Sequence, residues 1–446
     1  MGKKTQVRAI VLIVATFMLA LAAGCSDKKA TAESSVPATG NIDTSSVKGS
    51  CDLWTWDSSE KPVVAAFQEI YPDITVNIVP VNYDDYMNKV QTSIASGSKL
   101  ADILCGEYNF RARLFRMDIL ENLEEAPYNL DRNEIMDYEL PLSTYNGNIV
   151  GLEGSITAGG IAYKAPLALK YLDTDSVEEL EASLNTWDAI IEAGKKVQVQ
   201  SGGDVYLFHA WADVQEIFDC AGTEPWTEGN KPTKYLMETM PDERYDVLVR
   251  MLEAGVFDPS ISDHYTPAMN SAIDGDNHIM IDAATWHSAF VIGPNDKDGQ
   301  GRWREMVAPT GPFNCGGTAY GITKESENKD AAWSYLKWSF AGVEGGEANV
   351  ALRNFFPPYK PLIDTHDFSK DVDELFAPQK LTEKFYVDMA PDIQVRPAEF
   401  YSNQIKAAFK TVETALINDT SGSFTLERYK ELVRTEILNN CPDLEM

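Results

Sequence analysis

Basic residues are scarce in this chain. Lys and Arg number 38 against 68 Asp and Glu in 446 residues, a formal charge of −30. Recognition of phosphate backbones needs clustered cations, so the deficit excludes nucleic-acid binding and docking on anionic lipid through a basic patch. Histidine is sparse too. His209, His264, His278, His287 and His366 show no ligand spacing, and no CxxC accompanies them, so no metal site is expected. H-E-x-x-H, G-x-S-x-G and Walker A patterns are missing. Ser58-x-x-Lys61 and Ser96-x-x-Lys99 occur without Ser-Asp-Asn or Lys-Thr-Gly, which argues against a penicillin-binding enzyme. Around Asp296, Asp298, Gly299 and Glu305 a calcium-loop pattern is half met, but Pro294 would occupy its first ligand position, so the stretch reads as solvated acids. No catalytic residue and no cofactor are expected, and no internal repeat is visible.

What is present is ordinary globular composition, 44% hydrophobic and 10% aromatic. The start is different. Lys3, Lys4 and Arg8 precede an uncharged run from Ala9 to Ala23. As a helix those residues reach about 22 Å, short of the roughly 30 Å hydrocarbon core. This is the anatomy of a signal peptide rather than of a span. The run ends Leu21-Ala22-Ala23-Gly24-Cys25, similar to a bacterial lipobox, although strict versions carry Leu, Val or Ile where Ala22 stands. The expectation is a lipoprotein signal over 1–24, lipidation at Cys25, and a polar tether over 25–48 without periodicity, a flexible arm of roughly 26 Å reach. Cys51, Cys105, Cys220, Cys315 and Cys441 remain; five is odd, and buried thiols are expected for most.

Leu53 to Trp56 is β-prone, and Val63, Phe67 and Ile70 recur at helical spacing until Tyr71-Pro72. Ile74, Val76 and Ile78 alternate as a second strand. Tyr83 to Ser96 carries a helical stripe stopped by Gly97, and Ala101 to Cys105 is a third strand. Strand–helix–strand–helix–strand in so short a stretch implies parallel α/β architecture. Ligands in such sheets gather beyond the carboxyl ends of strands, which singles out Trp56-Asp57 and Glu107-Tyr108. Trp54 alternates to the same face as Trp56, so one of the two is structural. His278 to Asp282 is another apolar strand with Trp286-His287 just past its end. Thr318 to Thr323, Asn328 to Phe340, Ser402 to Ile417 and Thr425 to Leu438 read as a strand and three helices. Trp211 and Trp226 are further aromatic candidates, the latter in the Gly- and Pro-rich segment 222–232.

At this point the chain resembles family 1 extracellular solute-binding proteins, the receptors of ABC sugar importers. The resemblance is carried by the stretch from Leu53 to Leu123 with its Tyr-Pro-Asp-Ile-Thr-Val, by Thr186-Trp187-Asp188, by Asp274-Gly275 through Trp286, by Gly316-Gly317 and by Asn328 to Trp333. It is patchy but colinear over about 50–440. Gly151-Leu152-Glu153 and Tyr163-Lys164-Ala165-Pro166 depart from the family's Gly-Leu-Pro and Tyr-Asn-Lys-Asp, and the second departure borders the cleft.

The resemblance implies an α/β two-lobe periplasmic-binding-protein-like fold of type II, with three crossovers between discontinuous lobes. Lobe one would hold 49–158 and 316–357, lobe two 162–312 and 362–446. A ligand would lie between them and draw them together. It implies Gly317 beside the ligand, and Arg396, Phe400 and Tyr401 in a stretch that lends aromatics to the cleft. The expected function is capture of a carbohydrate, an oligosaccharide by preference, for an ABC permease with a cytoplasmic ATPase. The protein would work as a monomer, lipid-anchored on the outer face of the bacterial cytoplasmic membrane. The alternatives are a secreted carbohydrate-active enzyme, or a receptor of this fold that serves a sensor or takes a non-sugar ligand.

Overall fold

A computed structural model describes residues 46–264, 266–422 and 424–445; Cys25, the leader and nearly all of the tether lie outside them. Ten strands position the site. In the first part of the chain they are β1 (Gly49–Thr55), β2 (Ile74–Pro80), β3 (Ile103–Glu107), β4 (Leu152–Glu153) and β5 (Ala158–Lys164). Then come β6 (Tyr206–Phe208), β7 (His278–Ala284), β8 (Trp303–Met306), β9 (Phe313–Asn314) and β10 (Thr318–Ile322).

The first sheet has the order β2-β1-β3-β10-β4. β1 runs parallel to both β2 and β3, whereas β10 lies antiparallel to β3 and to β4. Parallel neighbours need crossover helices, and Glu60–Ile70 and Tyr86–Ser96 supply them. The second helix starts later than the apolar stripe predicts, and Gly97 ends it in the left-handed conformation with its N–H on Ile94 and Ser93 carbonyls.

The second sheet has the order β8-β5-β7-β6, with β9 also paired to β5. All seven residues of β5 are buried. Two glycines make that possible: a Cβ on Gly159 would meet the Phe313 ring at 2.3 Å, and one on Gly160 the Met306 carbonyl at 2.4 Å. Neighbouring backbone and ring close directly over the strand as a result.

Two lobes follow, each a sheet with helices on it. Leu53, Phe67, Ile103 and Leu336 are typical of one apolar core, Ile190, Leu207, Phe257 and Phe409 of the other. Phe376, Phe385 and Trp303 pack with the first of these clusters. The chain passes from sheet to sheet between β4 and β5, and again between β9 and β10. It returns a third time after helix Val343–Arg353, since helix Ser402–Ile417 inserts Ile405, Phe409 and Val412 into the second core. All five cysteines of the described residues are free and buried. Of the acids read as solvated, Asp298 is exposed but Asp296 and Glu305 are not. Asp296 is fully buried and accepts from Trp303 Nε1 at 2.8 Å, with Arg302 at 3.2 Å, and Glu305 is fully buried as well. An indole N–H and a guanidinium thus take the place that water was expected to fill.

Candidate functional site

The crevice between the lobes holds a cavity of about 490 Å³. One wall comes from the carboxyl ends of β1 and β3, which deliver Trp56, Asp57 and Glu107. The opposite wall comes from the end of β7, which delivers Thr285 and Trp286, and the floor carries Gly317 of the β9–β10 crossing and Tyr320 of β10.

Trp56 is held by three edge-to-face contacts, with Tyr83 at 5.3 Å, Tyr86 at 5.1 Å and Phe110 at 5.8 Å between centroids. These fix the indole while leaving it half-buried beside the cavity. Asp57 Oδ1 accepts from the Ser59 N–H, and Oδ2 pairs with Arg353 at 2.5 Å. The same guanidinium pairs with fully buried Glu60 at 2.6 Å, which also accepts from Tyr335 at 2.9 Å and from the Tyr320 hydroxyl. Arg353 is thus a buried bolt beneath the cleft. Glu107 Oε2 accepts from Tyr83 Oη and from the Asn109 N–H, both at 2.8 Å. Burial raises the pKa of that carboxyl.

Trp286 donates from Nε1 to the Cys315 carbonyl at 3.0 Å and stacks on His287 at 4.0 Å. It packs against both cores, which places it at the seam of the lobes. His287 Nδ1 accepts from the Ala284 N–H at 2.8 Å, so its proton sits on Nε2, 3.8 Å from Asp282 Oδ2. Burial lowers the pKa of this imidazole to about 3, which keeps it neutral. Gly317 adopts φ +106°, and a Cβ there would stand 2.8 Å from Glu153 Oε1. Glu153 is itself buried and paired with Arg111 at 2.6 Å.

A smaller cavity of about 320 Å³ adjoins the first, sharing Tyr83, Glu107, Trp286 and Gly316, and is lined further by Glu216, His264, Asp282, His287 and Cys315. Two groups of metal-capable side chains border it: Asp213, His264 and Asp282, and Glu216, Cys220 and Cys315. The first group draws its members from separate stretches of chain; in the second, Glu216 and Cys220 are four apart on helix Trp211–Cys220 and only Cys315 comes from elsewhere.

Of the residues singled out in the sequence, Trp56, Asp57, Glu107, Trp286 and Gly317 line the larger cavity and Tyr108 and His287 the smaller. The rest do not meet there. Trp211 is buried in the second core and donates from Nε1 to Glu413 at 2.8 Å. Trp226 is fully enclosed, with the Arg396 guanidinium 4.1 Å above its ring. Arg396 itself is buried and donates to the carbonyls of Glu224 at 2.7 Å and Ala221 at 3.0 Å. Tyr401 is buried in the second core. Phe400 instead lies 5.0 Å from the Arg116 guanidinium of the first lobe, outside both cavities. Aromatics in a Gly- and Pro-rich segment looked like cleft lining because their core partners lie far away in the chain. Tyr83, Phe290, Arg353 and Phe355 line the cavity and were not singled out. Arg353 had no sequence signal, since its partner Asp57 is 296 residues away.

Residues 63–378 match the profile of the bacterial extracellular solute-binding proteins. The chain belongs to that family. Among relatives of this solute-binding protein is the lactose-binding protein of Rhizobium radiobacter, 22% identical over 321 residues, which are 67% of this chain and 72% of that one. A family 1 extracellular solute-binding protein of known structure superposes with a TM-score of 0.76 at 16% identity, over 88% of this chain and 99% of the other. The GacH receptor of Streptomyces glaucescens, solved unliganded and with acarbose, gives 0.68 at 15% identity over 90% and 100%. The galacto-N-biose/lacto-N-biose I-binding protein of Bifidobacterium longum gives 0.68 at 15% over 89% and 98%. These likenesses establish the shared two-lobe fold.

Proposed function

We propose that this solute-binding protein captures an oligosaccharide in the interlobe cavity and delivers it to an ABC permease whose cytoplasmic ATPase supplies the energy. The observation that carries the reading is the pairing of two indoles, Trp56 and Trp286, from opposite lobes on one cavity with two carboxylates, Asp57 and Glu107. A sugar ring offers C–H groups on its faces and hydroxyls around its rim. Indole surfaces cover the faces, and carboxylate oxygens, each with lone pairs beyond those already engaged, accept from the rim. The cavity falls within the range of small-molecule sites, about 300–1,000 Å³. A relative named for lactose, a structural neighbour named for lacto-N-biose and another solved with acarbose support the same substrate class.

Closure follows from the layout, because a ligand touching both walls binds the closed arrangement better than the open one. The monomer needs no further copy to complete this cavity. Among the described residues no helix is long and apolar enough to cross a membrane. Attachment is assigned to lipid on Cys25, with 25–48 as tether and the lobes divided as 49–158 with 316–357 and 162–312 with 362–446. Cys25→Ala should release the protein from the membrane with ligand affinity unchanged; retention of the variant would contradict the anchor. Equilibrium titration with a panel of di- and trisaccharides tests the substrate class. Conversion of bound sugar to product would instead indicate a carbohydrate-active enzyme, and binding of amino acids with no glycan would point to another solute.

A further inference from the structure

The smaller cavity contains side chains that sugar capture does not use. His264 Nε2 stands 3.1 Å from Asp213 Oδ1 and 3.1 Å from Asp282 Oδ1, and the three ligand atoms all lie within 4.8 Å of one another. Whatever the charge of the ring, that nitrogen carries a single proton at most, and its hydrogen bond goes to Asp213. Asp282 Oδ1, in a residue 1% exposed, accepts no hydrogen bond among the described residues. A buried carboxylate oxygen aimed at a nitrogen already engaged elsewhere asks for a cation between them.

We propose that Asp213, His264 and Asp282 form a binding site for a divalent transition-metal cation of the zinc class, on the wall of the interlobe crevice. Two atoms each ~2.0–2.1 Å from one ion at the tetrahedral angle stand about 3.3 Å apart, close to the spacing seen here on both sides of the nitrogen. One imidazole with two carboxylates suits zinc and not calcium, which takes six to eight oxygens. The ligands are held from behind. Asp213 Oδ2 accepts from the Ala210 N–H at 3.0 Å, and Asp282 Oδ2 faces His287 Nε2 at 3.8 Å, as oriented ligands require. Because His264 and Asp282 line the cavity, a fourth position opens onto it. The neighbouring group of Glu216, Cys220 and Cys315 is a poorer host. Lys406 Nζ already lies 3.9 Å from both the Cys220 sulfur and Glu216 Oε1, so a cation is in place. The site goes beyond sugar capture and does not depend on it.

Chelator-treated full chain titrated calorimetrically with zinc chloride tests the assignment. The expected result is saturable binding of one ion, weakened at least on the order of tenfold in Asp282→Asn and in His264→Gln, and unchanged in Cys315→Ser. Failure of the parent to bind overturns the proposal, as does equal affinity in the Asp282 and His264 variants or loss on removing the cysteine. Should those variants unfold, the cobalt-loaded parent still decides. Ligand-field bands without thiolate-to-cobalt charge transfer support the His/Asp site, and charge transfer rejects it.

Discussion

At the residue scale the cleft separates side chains that meet ligand from those that hold the walls. Trp286 belongs to the first kind, since it is half-buried and its ring lies against both cavities. Losing a central aromatic costs about 2 kcal/mol or more of binding, roughly thirtyfold. Trp286→Ala should weaken sugar binding by at least that order in calorimetric titration and leave a cooperative melt; unchanged affinity would make the indole a strut between lobes. Arg353 belongs to the second kind. Arg353→Met leaves Glu60 buried without its cation, so unfolding stability should fall by about 3–5 kcal/mol in urea titration. A loss below about 1 kcal/mol would show that the two tyrosines suffice for Glu60. The first kind was legible in sequence wherever a strand end placed the residue, as at Trp56, Asp57, Glu107 and Trp286. The second was not. Burial of Trp211 against Glu413, and of Trp226 under Arg396, depends on partners some 170 to 200 residues away, and periodicity is silent at that range.

At the scale of elements, the crossing between β9 and β10 is the tightest constraint. Gly316 and Gly317 have φ of +84° and +106°, and Gly317 has no room for a Cβ beside Glu153. Gly317→Ala should therefore destabilise the fold by roughly 1–3 kcal/mol, while a melt equal to the parent would mean that the crossing relaxes freely. A second device joins helix Val343–Arg353 to the segment after Thr365. His366 Nδ1 lies 3.0 Å from Glu347 and Nε2 2.8 Å from Asp371, so only the imidazolium satisfies both carboxylates. Those contacts outweigh burial and raise its pKa from 6.5 to about 9. A cationic group with a raised folded pKa stabilises fully below its unfolded value and loses that contribution as pH climbs through the folded one. His366→Ala should therefore cost stability below pH 6.5 and little above pH 9. An equal cost at both ends would remove the ion pairs from the account. Helices and strands around these devices follow from local pattern: β1 to β3 from alternation and turn chemistry, Thr186 capping its helix through the Ala189 N–H. Neither the His366 bridge nor the burial of Asp296 follows a helical or strand period: Asp296 meets Arg302 and Trp303 six and seven residues on, and His366 meets Asp371 five residues on and Glu347 nineteen back, through irregular chain that periodicity does not read.

At the scale of the whole molecule the two sheets, the crossings and a cavity faced by both lobes make one prediction. A solute that touches Trp56 on one side and Trp286 on the other shifts the lobes toward closure, and its differential affinity for the closed state sets how far. The most direct measurement is calorimetric titration of the purified protein with a panel of di- and trisaccharides, paired with small-angle scattering of the same samples. The account predicts saturable binding of at least one sugar near micromolar Kd, about −8 kcal/mol, with a smaller radius of gyration in the complex. Absence of binding across the panel, or binding with no compaction, would contradict it.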